Sequence, residues 1–211
     1  FAIGGLTGIL LAAPPVDFQV HNTVFLVAHF HNMLVPAMLF GMFAGYQFWF
    51  PKAFGFRLHE GLGKIAALCF IVGFCLSFLP LYVTGMEGMT RRAVELHEEN
   101  WRPWLQIAAT GPLFLLAGFG AILLQLWISI RRRIELAVPA GDPWNGRNLE
   151  WSIPSPAPEY NFAVIPEVGE HDAFWEMKRE GTAYKPAAKY EDIALPANTP
   201  WPFLFAVATG L

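Results

Sequence analysis

The stretch that decides the fold is residues 23–50, TVFLVAHFHNMLVPAMLFGMFAGYQFWF, which contains no Asp, Glu, Lys or Arg. A helix needs about 20 predominantly apolar residues to cross the hydrocarbon core of a bilayer, so this stretch is long enough to span one. Pro51 and Lys52 follow it and predict where the helix ends. Two imidazoles, His29 and His31, lie about two turns inside it. The sequence therefore predicts a membrane helix with polar groups at depth.

Two more stretches are apolar and long enough to span a bilayer. Residues 65–83 form one, and residues 104–130 form another that is stopped by three consecutive arginines. Residues 1–13 and 201–211 are also apolar but too short to span a bilayer, so we expect the chain to be a fragment of a longer polytopic protein. The predicted fold class is all-α: a transmembrane helix bundle with three complete spans, two partial spans and a cytoplasmic connector.

Composition and charge support this division. The chain is 55% hydrophobic and 15% charged, against roughly 25% charged in an average soluble domain. Residues 1–134 carry nine Lys/Arg and six Asp/Glu, whereas residues 135–198 carry five and eleven. We expect transmembrane helices with their loops over 1–134, a solvated polar connector over 135–198, and the start of a further transmembrane helix over 199–211. Since no basic stripe is visible, nucleic-acid binding is excluded.

The basic residues also predict the orientation of the chain in the membrane. Because successive spans alternate direction, Lys52, Arg57 and Lys64 lie on the same side as the arginines at 131–133, and the positive-inside rule makes that side cytoplasmic. The loop over residues 85–102 then faces outward. Its basic residues are an exception to the positive-inside rule, so their position outside needs a separate explanation.

The histidine pair is the sharpest chemical feature. Imidazole is a common haem ligand, and polar side chains at membrane depth are usually functional. Positions i and i+2 of a helix point about 200° apart, so His29 and His31 cannot bind the same metal. Two haems, one on each side of the helix with Phe30 between them, fit this spacing. The alternative is that each imidazole hydrogen-bonds a neighbouring helix and binds no ligand.

Arg91 and Arg92 are the basic residues that break the rule. Haem carries two propionates, and a planar guanidinium can hold a carboxylate in a bidentate manner. The helix of His29 and His31 begins at the outer surface, where the helix before Arg91 ends, so both pairs belong to the outer half of the bilayer. The alternatives are contact with lipid headgroups or pairing with nearby glutamates.

A weaker pair, Asp17 and His21, lies at the outer edge just before the histidine helix. Side chains four apart share a helical face, so this pair could bind a divalent cation such as magnesium or relay protons. A local ion pair or capping role explains it equally well. Asn22 or Thr23 is expected to cap the following helix.

Residues 20–31, VHNTVFLVAHFH, resemble subunit I of the haem-copper terminal oxidases, and the resemblance continues through residues 88–92, GMTRR, and 149–156, LEWSIPSP. It covers essentially the whole chain. It implies that His29 is the proximal ligand of the high-spin haem at the oxygen-reducing site and that His31 binds the low-spin haem. It also implies that Arg91 and Arg92 bind haem propionates. Asp17 and His21 match the family's outer magnesium and proton-exit region.

Two differences from the cytochrome c oxidases indicate which branch of the family the chain resembles. Cytochrome c oxidases usually have Asp where this chain has Asn22 and Pro where it has Thr90. These differences, with residues 160–164, YNFAV, and 172–178, DAFWEMK, look like the bo-type ubiquinol oxidases. Cytochrome c oxidase subunit I is the alternative. The loss of one carboxylate at Asn22 weakens the case for magnesium at the outer site.

The resemblance implies a proton-pumping respiratory oxidase in the bacterial inner membrane that oxidises ubiquinol and reduces oxygen to water. Its expected cofactors are a low-spin haem of type b, a high-spin haem of type o, with a or b as alternatives, and copper whose ligands lie upstream of this fragment. Its expected partners are oxidase subunits II, III and IV and the lipid bilayer. The fragment alone is expected to be inactive. A cofactor-free secondary transporter and a two-haem electron-transfer protein are the remaining hypotheses.

Overall fold

The structure is a computed structural model, and it describes residues 2–93, 95, 98–138, 140–158, 161–162, 165–169, 171–183 and 197–209. Tyr160, Ala163 and Val164 of the family-like tail motif lie outside these residues. The described residues form helices joined by turns, with two isolated β-bridges. The helices are α1 Ala2–Ala12, α2 Pro14–Val20, α3 Val24–Leu34, α4 Gly41–Phe54, α5 Glu60–Met86, α6 Arg102–Arg131, α7 Ala173–Arg179 and α8 Trp201–Ala208.

The chain divides into two compact units, Phe1–Val138 and Pro139–Leu211. The first unit contains three helical runs that are long and apolar enough to cross a membrane: Val24–Phe54, Glu60–Met86 and Glu99–Arg131. These runs confirm the predicted all-α membrane bundle with three complete spans. The second and third runs extend a few residues beyond both ends of the apolar stretches that predicted them, and the first extends to Phe54 at its C-terminal end.

The end of the first span differs from the prediction. Pro51 does not stop the helix, which continues for another turn to Phe54. The true stop is Gly55, whose φ of 78° lies in the left-handed region and whose amide donates to the carbonyl of Pro51 at 2.8 Å. Proline costs a helix one hydrogen bond, whereas the left-handed residue reverses the chain, and glycine adopts that conformation without a steric penalty.

The same span changes pitch in its middle, directly after the two histidines. Residues Val35–Phe40 form a π-helical segment that joins α3 to α4, and Pro36 lies at its start. Proline has no amide hydrogen and its ring collides with the carbonyl four residues earlier in a regular helix. The wider π turn accommodates the ring, so the span remains continuous although it is not a uniform α-helix.

Helices α5 and α6 pack closely through small residues. A Cβ added at Gly111 of α6 would lie 2.6 Å from both the carbonyl of Gly73 and the amide of Ser77 on α5. A Cβ at Gly118 would lie 3.1 Å from the ring of Phe70. Small residues let two membrane helices bring their backbones together, which maximises van der Waals contact where no hydrophobic effect acts between them.

The first two helices turn sharply and close one end of this unit. Helices α1 and α2 are bent by 102°, at the point where Pro14 and Pro15 begin α2. Val20, Phe25, Ala28 and Tyr82 form a buried core there. The core joins α2, α3 and α5, and residues of α1 pack against it. We refer to this end, where α3 begins and α5 ends, as the histidine end.

The opposite end of the first unit is held by a polar cluster that the sequence did not indicate. Gln47 and Gln125 exchange two side-chain amide hydrogen bonds, of 2.8 and 2.9 Å, between α4 and α6. Gln125 also donates to the carbonyl of His59 at 3.0 Å, and Ser129 accepts from the amide of His59 at 2.8 Å. Gln125 and Ser129 are completely buried. The cluster therefore ties α4, α6 and the start of α5 together.

The second unit contains the predicted connector, and its described part is folded around buried aromatic residues rather than being fully solvated. Trp151 and Phe174 are buried. Lys178 donates to the carboxylate of Asp142 at 2.5 Å and lies 4.3 Å from the centre of the Phe174 ring. This unit also contains the short helix α7. Its N-cap residue Asp172 pairs with an arginine instead of capping the helix.

We predict that Gly111→Ala lowers the stability of the assembled protein, because its new methyl group meets the backbone of α5. Overpacking of this kind costs about 1–3 kcal/mol. The matched control is Gly120→Ala on the same helix, where a Cβ would meet nothing within 4 Å. That change should leave the thermal unfolding midpoint unchanged or raise it, since alanine is the better helix former. Equal midpoints for the two variants would contradict the proposed packing.

Candidate functional site

His29 lies on α3 and is half-buried against α1. Its Nδ1 atom is 3.1 Å from the hydroxyl oxygen of Thr7. Its ring also passes directly over Gly8, where a Cβ would come within 3.0 Å of Cε1. The ring is therefore held by α1 through one hydrogen bond and one close backbone approach.

His31 is held differently. Its Nδ1 atom is 2.8 Å from the carbonyl oxygen of Val27 in the same helix. A carbonyl can only accept, so Nδ1 carries the hydrogen and Nε2 carries the lone pair. The ring stacks on Phe78 of α5, with centroids 4.2 Å apart and planes 16° from parallel, and contacts Phe30 at 4.3 Å. The imidazole thus has a fixed tautomer and a fixed orientation.

The two rings are anchored on different neighbours, His29 on α1 and His31 on its own helix and α5. Within the described residues, no hydrogen bond involves the Nε2 atom of either ring. Histidines that bind metals usually donate their other ring N–H to the protein, which fixes the tautomer and raises the basicity of the ligand. In each ring the described hydrogen bond therefore leaves Nε2 available as a ligand atom, and for His31 the tautomer matches that role as well.

The loop that carries the two arginines is joined directly to the start of the histidine helix. The amide of Val24 donates to the carbonyl of Met89 at 2.9 Å, and the amide of Arg91 donates to the carbonyl of Asn22 at 3.0 Å. Below this bridge, a Cβ at Gly85 would lie 2.6 Å from Cα of Phe25. The structure thus places the arginine loop at the histidine end of the bundle, as the sequence predicted.

Arg91 is half-buried and Arg92 is exposed. Among the residues that the structure describes, neither guanidinium forms an ion pair, and Glu99 pairs instead with Arg102 at 3.4 Å. The alternative of pairing with a nearby glutamate is thus not favoured by the described part of the loop. Arg92 has a φ of 66°, in the left-handed region, so the chain turns directly at this residue. Two uncompensated guanidiniums at this end are suited to bind carboxylates such as propionates.

Asp17 and His21, at the outer edge of the predicted membrane, contact each other. His21 Nδ1 lies 3.5 Å from a carboxylate oxygen of Asp17, and both side chains are largely exposed. In the described ranges, no group of three or more His, Cys, Asp or Glu side chains could hold a metal ion. The ion-pair interpretation is thus sufficient for the geometry, and a cation at this position stays a prediction from the resemblance.

The cap of the histidine helix was predicted at Asn22 or Thr23, and the structure places it at Thr23. The hydroxyl of Thr23 accepts from the amide of Phe25 at 3.2 Å and donates to the carbonyl of Val20 at 2.7 Å. Sequence reasoning missed Thr7, Tyr82 and Gly85. A threonine within an apolar run and a glycine at a helix end give no local signal, since their importance arises from contacts with distant segments.

The chain was compared with families, curated proteins and solved structures. Residues 1–123 match the family model described as Cytochrome C and Quinol oxidase polypeptide I. The chain is 50% identical to a probable cytochrome c oxidase subunit 1 from Bradyrhizobium diazoefficiens, covering 98% of this chain and 31% of that protein. It is 48% identical to a cytochrome bo(3) ubiquinol oxidase subunit 1 from Buchnera aphidicola, covering 98% of this chain and 32% of that protein.

The chain therefore spans about a third of the length of the curated relatives it matches. A solved structure gives a similar result. A chain from a cryo-EM structure of a haem-copper terminal oxidase dimer superposes with a TM-score of 0.54 at 28% identity. The superposition covers 61% of this chain and 24% of that one.

We predict that Thr23→Val weakens the start of the histidine helix by about 1 kcal/mol, because the N-cap acceptor is lost. Hydrogen exchange at the amide of Phe25 in the assembled protein should become faster. Thr23→Ser retains the hydroxyl and serves as the control, with exchange close to that of the unaltered protein. If the two variants exchange at the same rate, the side chain of Thr23 does not cap α3.

Proposed function

This chain belongs to the cytochrome c and quinol oxidase polypeptide I family, and on that premise we propose that it supplies one axial ligand to each of two haems in the catalytic subunit of a respiratory oxidase. The observation that carries the proposal is the histidine pair. His29 and His31 lie two positions apart on one helix, each with Nδ1 anchored and Nε2 uninvolved in any described hydrogen bond.

The assignment of each histidine follows the family pattern. His29 is proposed as the proximal ligand of the high-spin haem at the oxygen-reducing centre, and His31 as a ligand of the low-spin haem. The two rings also have different surroundings, so the two ligand sites are not equivalent. His31 stacks on an aromatic ring and is fixed by its own helix, whereas His29 is positioned by a different helix through a side chain.

Arg91 and Arg92 are proposed to bind haem propionates. Their loop is hydrogen-bonded to the start of α3, so backbone contacts fix the position of the loop relative to the histidine helix. Both side chains are without ion-pair partners in the described residues, which leaves their charge available to carboxylates. Charge-assisted, bidentate hydrogen bonds of this type are among the strongest that proteins form.

The contribution of this chain to the mechanism is positional. When bound, the haems supply the redox chemistry, by passing electrons from the donor to oxygen. The residues of this chain would hold the two haems through His29 and His31, and the backbone of α3 fixes the spacing of these two imidazoles along one helix.

For the whole protein we propose a proton-pumping ubiquinol oxidase in the bacterial inner membrane, with subunits II, III and IV as partners. The names of relatives from Buchnera aphidicola and Acetobacter aceti support the quinol as donor. The proposed cofactors are a low-spin haem b, a high-spin haem o, with a or b as alternatives, and copper bound outside this chain. We also propose that the transmembrane helices with their loops end at residue 134 and that the connector ends at residue 198. On the same proposal, this fragment alone is inactive.

Cytochrome c oxidation is the second candidate, because one relative from Bradyrhizobium diazoefficiens is named a probable cytochrome c oxidase subunit 1. Asn22 and Thr90 favour the quinol branch, since cytochrome c oxidases usually carry Asp and Pro at these positions. Membership of the family removes the motivation for a cofactor-free secondary transporter. A two-haem protein that never reacts with oxygen is distinguished by the copper content of the assembled complex.

We predict that His29→Ala in the full-length, assembled oxidase abolishes carbon monoxide binding and leaves the low-spin haem spectrum largely intact. His31→Ala should have the opposite effect and remove the low-spin band. His171→Ala, an exposed residue of the second unit, is the control and should leave both signals unchanged. Loss of the low-spin band alone in His29→Ala would reverse the assignment, and a complex without haem would refute the proposed function.

The electron donor can be tested on the same preparation. We expect the purified complex to consume oxygen with a short-chain ubiquinol and not with reduced cytochrome c. The measurement is the oxygen-consumption rate at matched donor concentrations, with and without an inhibitor of the oxygen-reducing centre such as cyanide. Oxidation of cytochrome c with no quinol activity would favour the second candidate.

A further inference from the structure

The hydroxyl of Thr7 lies at the centre of a polar group within the histidine end. Its oxygen is 3.1 Å from Nδ1 of His29 and 3.0 Å from the hydroxyl of Tyr82 on α5. It is also 3.0 Å from the carbonyl oxygens of both Ile3 and Gly4, one turn earlier in α1. A single threonine oxygen thus contacts groups from α1, α3 and α5.

The hydrogens of this group can be assigned from the chemistry of its members. A hydroxyl has one hydrogen to donate and two lone pairs that accept, whereas a carbonyl only accepts. If Thr7 donates its hydrogen to the carbonyls of its own helix, both of its lone pairs remain for the other two neighbours. His29 then donates from Nδ1 and Tyr82 donates from its hydroxyl, and every polar atom in the group is satisfied.

This assignment fixes the tautomer of His29. With its hydrogen on Nδ1, the ring keeps the lone pair on Nε2, the atom that no described hydrogen bond involves. The orientation of the ring is fixed as well. Gly8 leaves room for its edge, and Tyr82 is itself held by an edge-to-face contact with Phe25 at 5.0 Å between centroids.

We propose that Thr7, supported by Tyr82, is a positioning residue that selects the metal-binding tautomer of His29 and sets its strength as a ligand. The inference rests on the proposed function, since it concerns how this chain presents His29 to a haem. The hydroxyl acceptor gives Nδ1–H a neutral partner, which raises the basicity of the ring less than a carboxylate would. His31 differs in that its neutral acceptor is a backbone carbonyl of its own helix and not a side-chain hydroxyl of another helix.

The test uses the full-length, assembled oxidase with Thr7→Val, which keeps the β-branched shape and removes the hydroxyl. The iron–histidine stretching band of the reduced high-spin haem, measured by resonance Raman spectroscopy, should move to lower wavenumber because the imidazole loses its acceptor. The oxygen-reduction rate should fall roughly 10-fold, the lower end of the effect of removing an outer-shell partner. The low-spin absorption band should not change.

Three further variants separate positioning from a structural role. Thr7→Ser retains the hydroxyl and should keep the band at its original position. Tyr82→Phe removes one donor to Thr7 and should shift the band by a smaller amount. Thr110→Val is the matched control, because within the described ranges the hydroxyl of Thr110 hydrogen-bonds only to a carbonyl of its own helix, that of Ile107, at 2.7 Å. It should leave the band unchanged.

An unshifted band in haem-loaded Thr7→Val overturns the proposal, as does an equal shift in Thr110→Val. If Thr7→Val does not assemble, the other variants decide: a shifted band in Thr7→Ser, or an unshifted one in Tyr82→Phe, overturns it. These outcomes are distinct from failure of the proposed function, which would appear as an unaltered complex that contains no haem or whose His29→Ala variant still binds carbon monoxide.

Discussion

The close contact between the start of α3 and the end of α5 is the constraint on which the rest of the site depends. Gly85 has no side chain, so the backbone at Phe25 can lie against it, and the amide of Val24 then donates to the carbonyl of Met89, just beyond the end of α5. This contact determines the height of His29 and His31 relative to the arginine loop. It also brings Tyr82 to the same level as Thr7, so the surroundings of His29 are a consequence of it.

Helix geometry explains why the two histidines belong to separate ligand sites. Two positions along a helix reverse the direction of a side chain, so a single helix can serve two ligand sites only on opposite faces. Each face packs against a different neighbouring helix. His31 stacks on the ring of Phe78 of α5, and His29 contacts the hydroxyl of Thr7 and the backbone at Gly8 of α1. The difference between the two sites thus arises from the neighbouring helices and not from the ligand residue.

The sequence predicted the features that depend on local pattern. Apolar length located the three spans, and the spacing of His29 and His31 indicated two separate ligand sites. It predicted the end of the first span wrongly, because Pro51 removes one hydrogen bond without reversing the chain. Thr7 and Tyr82 could not be found, since they are 75 residues apart and meet only when α1 packs beside α5. The folded core of the connector was missed for the same reason, as Asp142 and Lys178 are 36 residues apart.

The reciprocal amide pair of Gln47 and Gln125 has a consequence for how the bundle assembles. Each amide must find a partner in a low-dielectric environment where an unsatisfied polar group costs several kcal/mol. A slide of one helical turn, about 5.4 Å, would separate the two amides and break both bonds between them, so that Gln47 would lose its described partner while Gln125 kept only its bond to the carbonyl of His59. The pair therefore selects a single depth of α4 relative to α6. It disfavours associations in which one of these helices is displaced along its axis relative to the other.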